Sequence, residues 1–137
     1  MPYTKLRFHF VFSTKKRRPL ITSLIEAELY AAIWEAVYRC GGIPIALNGD
    51  PSHVHLLCAV KPSIALSDFI GRVKCNSSRI INEKFPGLKF KWQKGFGAFT
   101  VCPYDHDELV DYIRNQKKHH ANGTTIDELE KDGPDDE

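Results

Sequence analysis

The chain has 137 residues, of which 42% are hydrophobic, so it has the size of one domain and can bury a core. This composition excludes wholesale disorder. No stretch reaches the roughly 18 unbroken apolar residues of a membrane span, and the first ten residues alternate in polarity, unlike a signal peptide. The four cysteines include no Cys-x-x-Cys pair and are expected to be reduced thiols of a cytoplasmic protein.

Charge is divided unevenly along the chain. Residues 127–137 hold seven acids and one lysine, whereas residues 1–126 hold 18 basic and 10 acidic side chains. A basic body is typical of a domain that binds a polyanion, although an ordinary basic surface explains the charge equally well. We therefore expect one domain over residues 1–122 and an acidic, disordered tail over residues 123–137.

The first predicted element is a strand whose two faces differ. One face holds Leu6, Phe8, Phe10 and Phe12, and the other holds Arg7, His9 and Val11. A basic run over residues 15–18 follows. Ser23 and Glu26 form a capping box that predicts a helix to about Cys40, where two glycines end it.

The rest of the chain continues the alternation of strands and helices. Strands are predicted over residues 43–47, 53–60 and 95–102, a second helix from Ser63 to about 85, and a final helix over 105–120. The order is βαββαβ plus a terminal helix. It predicts an α+β, ferredoxin-like fold, in which two helices cover one face of an antiparallel sheet.

The most specific local feature is the pair His53 and His55 within an apolar strand. Because strand side chains alternate, both imidazoles point to one face, the face that the helices leave open. Two adjacent imidazoles are suited to binding a metal ion, although a pair of surface histidines would give the same pattern.

The final helix carries a second candidate group. Tyr112 and Gln116 are four residues apart and share a helical face. A tyrosine hydroxyl can attack phosphorus to form an ester, and an amide oxygen suits a hard cation. Taken alone, this spacing fits ordinary packing equally well. His119 and His120 are predicted to be cations near the helix C-terminus, and Tyr104 is predicted to be structural.

Four ordered motifs carry a resemblance to a known family. They are FVFSTKKRRPL at residues 10–20, PSHVHLL at 51–57, WQKGFGAFTV at 92–101 and YIRNQKKHH at 112–120. Together they resemble the single-tyrosine HUH transposases of the smallest bacterial insertion sequences, where HUH stands for histidine, hydrophobic residue, histidine. The resemblance covers roughly residues 3–120.

The resemblance implies a function and a role for each motif residue. His53, His55 and Gln116 would bind Mg²⁺ or Mn²⁺, and Tyr112 would cleave single-stranded DNA at hairpin ends, leaving a 5′-phosphotyrosine. A homodimer is implied as well, in which an active site can combine the histidines of one subunit with the tyrosine of the other.

Candidate DNA contacts come from charge and aromaticity. The predicted phosphate-binding residues are Lys15, Lys16, Arg17, Arg18, Lys89 and Lys91. Trp92 and Phe90 are predicted to offer stacking surfaces for unpaired bases, and Phe96 is assigned to the core.

The sequence also bears on two other classes of function. A non-catalytic or domesticated module that binds single-stranded nucleic acid would use the same βαββαβ sheet. A phosphodiesterase with two His-x-Ser/Thr motifs is excluded, because no such second motif exists in the sequence.

Overall fold

The computed structural model of the protein describes residues 2–133 and has four strands and four α-helices within them. The strands are β1 (Arg7–Ser13), β2 (Gly42–Asp50), β3 (His53–Val60) and β4 (Gly97–Thr100). The helices are α1 (Glu26–Arg39), α2 (Leu66–Lys84), α3 (His106–Arg114) and α4 (Gln116–Asn122). Short 3-10 turns lie at Lys15–Arg17, Pro103–Asp105 and Asp127–Glu130. The order confirms the predicted βαββαβ fold with a helical C-terminal part.

The four strands form one antiparallel sheet in the order β2-β3-β1-β4. The two central strands are therefore β1 and β3. In their register, Val11 of β1 lies opposite His55 of β3 on one side and opposite Gly97 of β4 on the other. The predicted His-x-His pair thus lies at the centre of the sheet.

The main core lies between the sheet and the helix pair α1 and α2. Phe10 and Phe12 from β1 and Val54 and Leu56 from β3 point into it, and all four side chains are fully buried. Their spacing of two residues is the reason, because alternate side chains of a strand share a face. Each such burial stabilises the fold by roughly 1.5–3 kcal/mol, so the apolar face predicted for the first strand is the core face.

The opposite face of the sheet is also covered, by the C-terminal part of the chain. Val110 and Ile113 of α3 pack against Leu57 of β3 and Ala46 of β2 in a second, smaller core. The face that carries His53 and His55 is therefore less open than the sequence predicts, because α3 and α4 lie on it.

The predicted final helix is divided in the structure. The sequence predicts one helix over residues 105–120, whereas α3 ends at Arg114 and α4 begins at Gln116. Between them Asn115 leaves helical geometry, and its side-chain amide donates a hydrogen bond to the Asp111 carbonyl at 2.8 Å. Such local side-chain bonds compete with regular helix geometry.

Helix starts also differ from the predictions. The first helix begins at Glu26 instead of Ser23, and the second at Leu66 instead of Ser63, and neither has a side-chain cap. Turns precede both helices. The last strand is shorter than predicted and spans only Gly97–Thr100.

Residues 124–133, which we call the C-terminal segment, lie against the body of the protein. The sequence predicts a disordered tail from residue 123; residues 134–137 lie outside the described residues. Up to Gly133, specific contacts hold the chain. Asp132 accepts two hydrogen bonds from the Arg17 guanidinium, at 2.8 and 3.1 Å, and one from Ser13. Asp132 is 3% exposed.

Two predictions about composition can be compared with the described part of the chain. All four cysteines are free thiols. Over residues 2–133, none of the helices combines the length and apolar character needed to cross a membrane.

Candidate active site

Strand β3 presents the two histidines to the C-terminal part of the chain. His55 is fully buried and His53 is 9% exposed, with their ring centroids 5.1 Å apart. Both Nε2 atoms face the Glu130 carboxylate: His53 Nε2 lies 3.0 Å from Oε1, and His55 Nε2 lies 3.2 Å from Oε1 and 3.1 Å from Oε2. The structure thus points the two imidazoles at a common centre, as the sequence predicts.

Tyr112 reaches the same centre from the last turn of α3. Its ring centroid lies 6.1 Å from that of His55, and its hydroxyl donates a hydrogen bond to Oε2 of Glu130. The hydroxyl also accepts a hydrogen bond from the backbone N–H of Ile126 at 2.9 Å. The Tyr112 ring stacks on His119, with the centroids 4.8 Å apart. The tyrosine hydroxyl is therefore held in one place by the C-terminal segment.

Gln116 borders the site at the first residue of α4. Its side chain is fully buried, with the amide nitrogen 3.4 Å from Glu130 Oε2 and the amide oxygen 3.0 Å from His120 Nε2. Strand β2 fixes this region, because Asn48 donates a hydrogen bond to the Arg114 carbonyl and accepts one from Lys117. The structure brings all four predicted site residues together within one chain.

His120 belongs to the same cluster, which corrects its assignment as a simple helix-end cation. Its Nε2 lies 3.1 Å from Glu130 Oε1, and its ring centroid is 4.9 Å from that of His53. The reason is helical spacing: His120 follows Gln116 by four residues and so shares its face. His119, the neighbouring residue, packs instead on Tyr112.

Glu130 is the residue at the centre of the site that sequence reasoning missed. It contacts His53, His55, His120, Tyr112 and Gln116 at once. In the sequence it is one of seven acids in an eleven-residue stretch, a pattern typical of a solvated tail. Only its contacts with residues distant in the sequence distinguish Glu130, and a single sequence does not show such contacts.

The charges of the site are strongly coupled. Burial disfavours a charged His53, but Asp50 and Glu130 outweigh burial and raise its pKa to about 9. Burial lowers the pKa of His55, although Glu130 opposes this shift. Burial alone would raise the pKa of Glu130, but the hydrogen bonds from His53 and His55 hold it well below its usual range. Glu130 is therefore a carboxylate at neutral pH.

The set of donor atoms fits a divalent cation. One ligand atom from each of His53, His55, His120 and Glu130 lies within 4.8 Å of the others. Imidazole nitrogen suits transition metals, whereas the carboxylate and the neighbouring Gln116 amide oxygen suit Mg²⁺ and Mn²⁺. His53 has a further feature of metal-binding histidines, because its Nδ1 lies 2.8 Å from the Asp50 carboxylate.

The predicted basic residues gather at one end of the sheet. The turn over residues 15–18 is joined to the Lys91 segment by a hydrogen bond from the Lys15 N–H to the Lys91 carbonyl at 2.8 Å. Lys16, Arg17 and Lys89 have left-handed backbone conformations, with φ between 52° and 55°. Such conformations are uncommon outside glycine. Their presence shows that surrounding contacts fix the shape of both basic turns.

The aromatic residues predicted to stack on bases do not fit that role. Trp92 is 7% exposed, packs against Phe12 and Phe90, and donates a hydrogen bond from its indole N–H to Ser77. Phe90 is 3% exposed. Both belong to the core, because alternation within this irregular segment turns their side chains inward. Phe96 packs against the core as predicted, and Tyr104 is 94% exposed, away from the site.

Comparison with known proteins gives one consistent result. Residues 2–116 match the family model described as "Transposase IS200 like". The chain is 25% identical over 118 residues to the ISDra2 transposase TnpA of Deinococcus radiodurans, which covers 82% of this chain and 84% of that protein. It is 34% identical over 70 residues to the transposase for insertion sequence element IS200 of Salmonella typhimurium, about half of each chain.

Solved structures show the same fold. The crystal structure of a candidate transposase from Deinococcus radiodurans R1 matches with a TM-score of 0.70 and 25% identity, over 85% of this chain and 95% of that one. A REP-associated tyrosine transposase, solved bound to a REP hairpin, matches with a TM-score of 0.64 and 19% identity, over 91% of this chain and 76% of that one.

Proposed function

Since the chain belongs to the IS200-like transposase family, we propose that this transposase cleaves and rejoins single-stranded DNA through a covalent bond between Tyr112 and a 5′-phosphate. The observation that carries the proposal is the meeting of the Tyr112 hydroxyl with His53 and His55 at one carboxylate, Glu130. A nucleophile beside a cation site is an arrangement suited to phosphodiester cleavage.

The proposed step exchanges one phosphodiester bond for another. The Tyr112 oxygen forms a bond to phosphorus, and the bond from phosphorus to the 3′-oxygen breaks, which leaves a 3′-hydroxyl. Glu130 accepts the hydrogen bond of the Tyr112 hydroxyl and so orients it; the proton that the phenol loses is balanced by the proton that the departing 3′-oxygen takes up. A 3′-hydroxyl of another strand reverses the step and releases Tyr112. The phosphotyrosine keeps the bond energy, so rejoining needs no ATP.

We propose that His53, His55 and Gln116, together with His120 and Glu130, hold Mg²⁺ or Mn²⁺. Such a cation supplies charge stabilisation at the scissile phosphate. The two oxygens of the Glu130 carboxylate have overlapping contacts: Oε1 faces the three histidines, and Oε2 faces Tyr112, Gln116 and His55. One carboxylate thus serves both the cation site and the nucleophile.

For the substrate we propose single-stranded DNA with hairpin ends. The basic segments at residues 15–18 and 89–91 support this, because a backbone hydrogen bond from Lys15 to Lys91 joins them. The alternative of a non-catalytic binding module gains no support from the aromatic residues, since Trp92 and Phe90 are buried.

We further propose that the protein works as a two-fold homodimer. Strand exchange requires that two element ends be held together, and a two-fold dimer supplies two equivalent sites. Sedimentation equilibrium tests this part independently of cleavage, and a monomer that transfers strands would contradict it.

The decisive experiment is a cleavage assay on hairpin-containing single strands, with Mn²⁺ or with chelator. We expect cleavage and a covalent protein–DNA adduct only with Mn²⁺, and mass spectrometry should place the DNA on Tyr112. Tyr112→Phe should abolish both and retain DNA binding, because it removes only a hydroxyl. Tyr104→Phe is the matched control, since Tyr104 is 94% exposed and outside the site.

Each alternative gives a different result in this assay. Binding without cleavage in the wild type would favour the non-catalytic module. Cleavage that survives in Tyr112→Phe, or an adduct on Tyr104, would refute the proposed nucleophile.

A further inference from the structure

Strand β1 buries a histidine directly behind the candidate metal site. His9 is fully buried, on the same face of β1 as Val11, whose cross-strand partner is His55. Its Nε2 lies 2.8 Å from Nδ1 of His55, and the two ring planes are within 25° of each other. A buried imidazole that contacts another imidazole through ring nitrogens is expected to be hydrogen-bonded to it.

We propose that His9 is a positioning residue that holds the His55 ring, and the proton on its Nδ1, so that His55 Nε2 can bind the cation. This inference rests on the metal site proposed above. His9 touches neither the proposed cation nor the scissile phosphate; it acts through His55.

The chemistry of the imidazole ring explains the assignment. A neutral imidazole carries one N–H, and a nitrogen that binds a cation cannot carry it. When His55 Nε2 serves as a ligand, the proton must lie on Nδ1, and His9 Nε2 is the acceptor 2.8 Å away. Metal-binding histidines generally donate their other N–H to a partner of this kind.

The neighbouring histidine shows the same arrangement with a different partner. His53 Nδ1 lies 2.8 Å from the Asp50 carboxylate, and His55 Nδ1 lies 2.8 Å from His9. His53 and His55, the two imidazoles of β3 that face Glu130, are thus each supported from behind by an acceptor. A carboxylate behind a fully buried ring would place an additional charge in the core, whereas a neutral histidine avoids that cost.

His9 is suited to the role because it stays neutral. Its imidazole is fully buried 2.8 Å from the His55 ring, where a charged form would be costly, so its Nε2 keeps a lone pair that can accept a hydrogen bond. With Nε2 as acceptor, the His9 proton lies on Nδ1, which is buried and has no hydrogen-bond partner among residues 2–133. A neutral imidazole can also reverse the direction of the hydrogen bond. In the metal-free protein, His55 can therefore donate from Nε2 to Glu130.

The test measures Mn²⁺ binding by the full chain, by electron paramagnetic resonance, without DNA. His9→Leu should bind Mn²⁺ about 10- to 100-fold more weakly than the wild type, the usual cost of removing such a partner. His9→Gln should restore most of the affinity, because its amide oxygen can accept the same hydrogen bond. Val11→Ala is the matched control. It removes buried volume from the same face of β1 and keeps the hydrogen bond, so its affinity should stay near that of the wild type.

Nuclear magnetic resonance of the Mg²⁺-loaded wild type supplies a second test, which does not depend on whether any variant folds. We expect the His55 proton on Nδ1 and a coupling across the hydrogen bond to His9 Nε2. Equal Mn²⁺ affinity in His9→Leu and wild type, or no coupling between the two rings, would overturn the role of His9. A wild type that binds no Mn²⁺ would instead overturn the metal site itself.

Discussion

The two halves of the candidate site are built differently. One half lies on the central strands β1 and β3, where His9 and His55 are fully buried and held by the antiparallel register. The other half, carrying Tyr112, Gln116 and Glu130, lies on two short helices and a 3-10 turn. A break at Asn115 separates α3 from α4, and a side-chain hydrogen bond of Tyr112 joins α3 to the C-terminal segment.

This difference in construction suits two tasks of strand transfer, which are holding the cation and moving the nucleophile. Central strands resist local opening, whereas short terminal elements with few buried contacts open most readily. The proposed cation ligands of the sheet can therefore stay fixed, while the proposed nucleophile and Glu130 lie on elements that can move when DNA enters or a strand is exchanged. Removing a residue from the sheet half should thus have larger effects than loosening the C-terminal half.

Among substitutions of the proposed cation ligands, the largest effect is expected in the sheet half. His53→Ala and His55→Ala should each reduce cleavage below detection, because each removes an imidazole from the cation site, which supplies several kcal/mol of transition-state stabilisation. Chelator should do the same to the native protein. The measurement is strand cleavage with Mn²⁺. His106→Ala, outside the cluster, is the control and should cleave normally. Residual cleavage in both histidine variants would argue against a catalytic cation.

A mixing experiment tests whether the two halves of a site come from one chain. In the structure the histidines and Tyr112 of a single chain meet at Glu130. We therefore expect co-expressed Tyr112→Phe and His55→Ala chains to stay inactive, because every site then carries one defect. Wild-type chains co-expressed with either variant serve as the control for assembly. Recovered cleavage in the mixture would show that the tyrosine helix serves the partner's site.

A substitution at Gly97 in β4 should displace the C-terminal half of the site and leave the sheet half in place. A Cβ on Gly97 would lie 1.9 Å from the Lys131 carbonyl oxygen, a backbone atom that cannot yield without moving the segment. Gly97→Ala should lower Mn²⁺ affinity about 100-fold or more, beyond the 10- to 100-fold of a supporting residue, since Glu130 is a proposed ligand. Hydrogen exchange of residues 127–133 should also accelerate.

The control for this substitution is Gly71→Ala in α2, whose Cβ would meet nothing within 4 Å. It should stabilise the helix by up to about 1 kcal/mol and leave both readouts unchanged. Unchanged exchange in Gly97→Ala would contradict the packing of the C-terminal segment on β4.

The smallest effect is expected at Gln116. Gln116→Ala should reduce cleavage about tenfold, because a neutral amide is the weakest of the proposed ligands and its contact with Glu130 is long, at 3.4 Å. Gln116→Glu should retain part of the cation affinity that Gln116→Ala loses, because it supplies a carboxylate oxygen. The measurement is the Mn²⁺ concentration needed for half-maximal cleavage. If Gln116→Ala lost cleavage as completely as His55→Ala, Gln116 would be as important for cleavage as the histidines, which would contradict this prediction.

The sequence predicted the parts of the fold and the site that depend on local periodicity. Alternation in β1 and β3 assigned Phe10, Phe12, Val54 and Leu56 to one face, because side chains of a strand change face at every residue. The same rule placed His53 and His55 together on the other. Resemblance to the family added Tyr112 and Gln116, which spacing alone could not separate from ordinary packing residues.

The parts that were missed depend on contacts between distant residues. Glu130 reaches His53 across 77 positions, and His9 reaches His55 across 46. An acid in an acidic stretch and a histidine on a strand have ordinary local explanations, so neither is distinguished in the sequence. The prediction that Trp92 stacks on bases was wrong for a different reason. Its basic neighbours suggested an exposed side chain, whereas the fold packs its ring against Phe12.

The pairing of Arg17 with Asp132 has a consequence for how DNA binding depends on ionic strength. A cationic side chain normally releases condensed counterions when it meets a phosphate, which makes affinity fall as salt rises. Arg17 already has a carboxylate of its own chain in bidentate contact. While Asp132 keeps this contact, Arg17 neutralises no phosphate and releases no counterion from the DNA, so it adds little to the salt dependence. The basic run therefore counts as fewer ionic contacts in a salt titration than its four charges suggest.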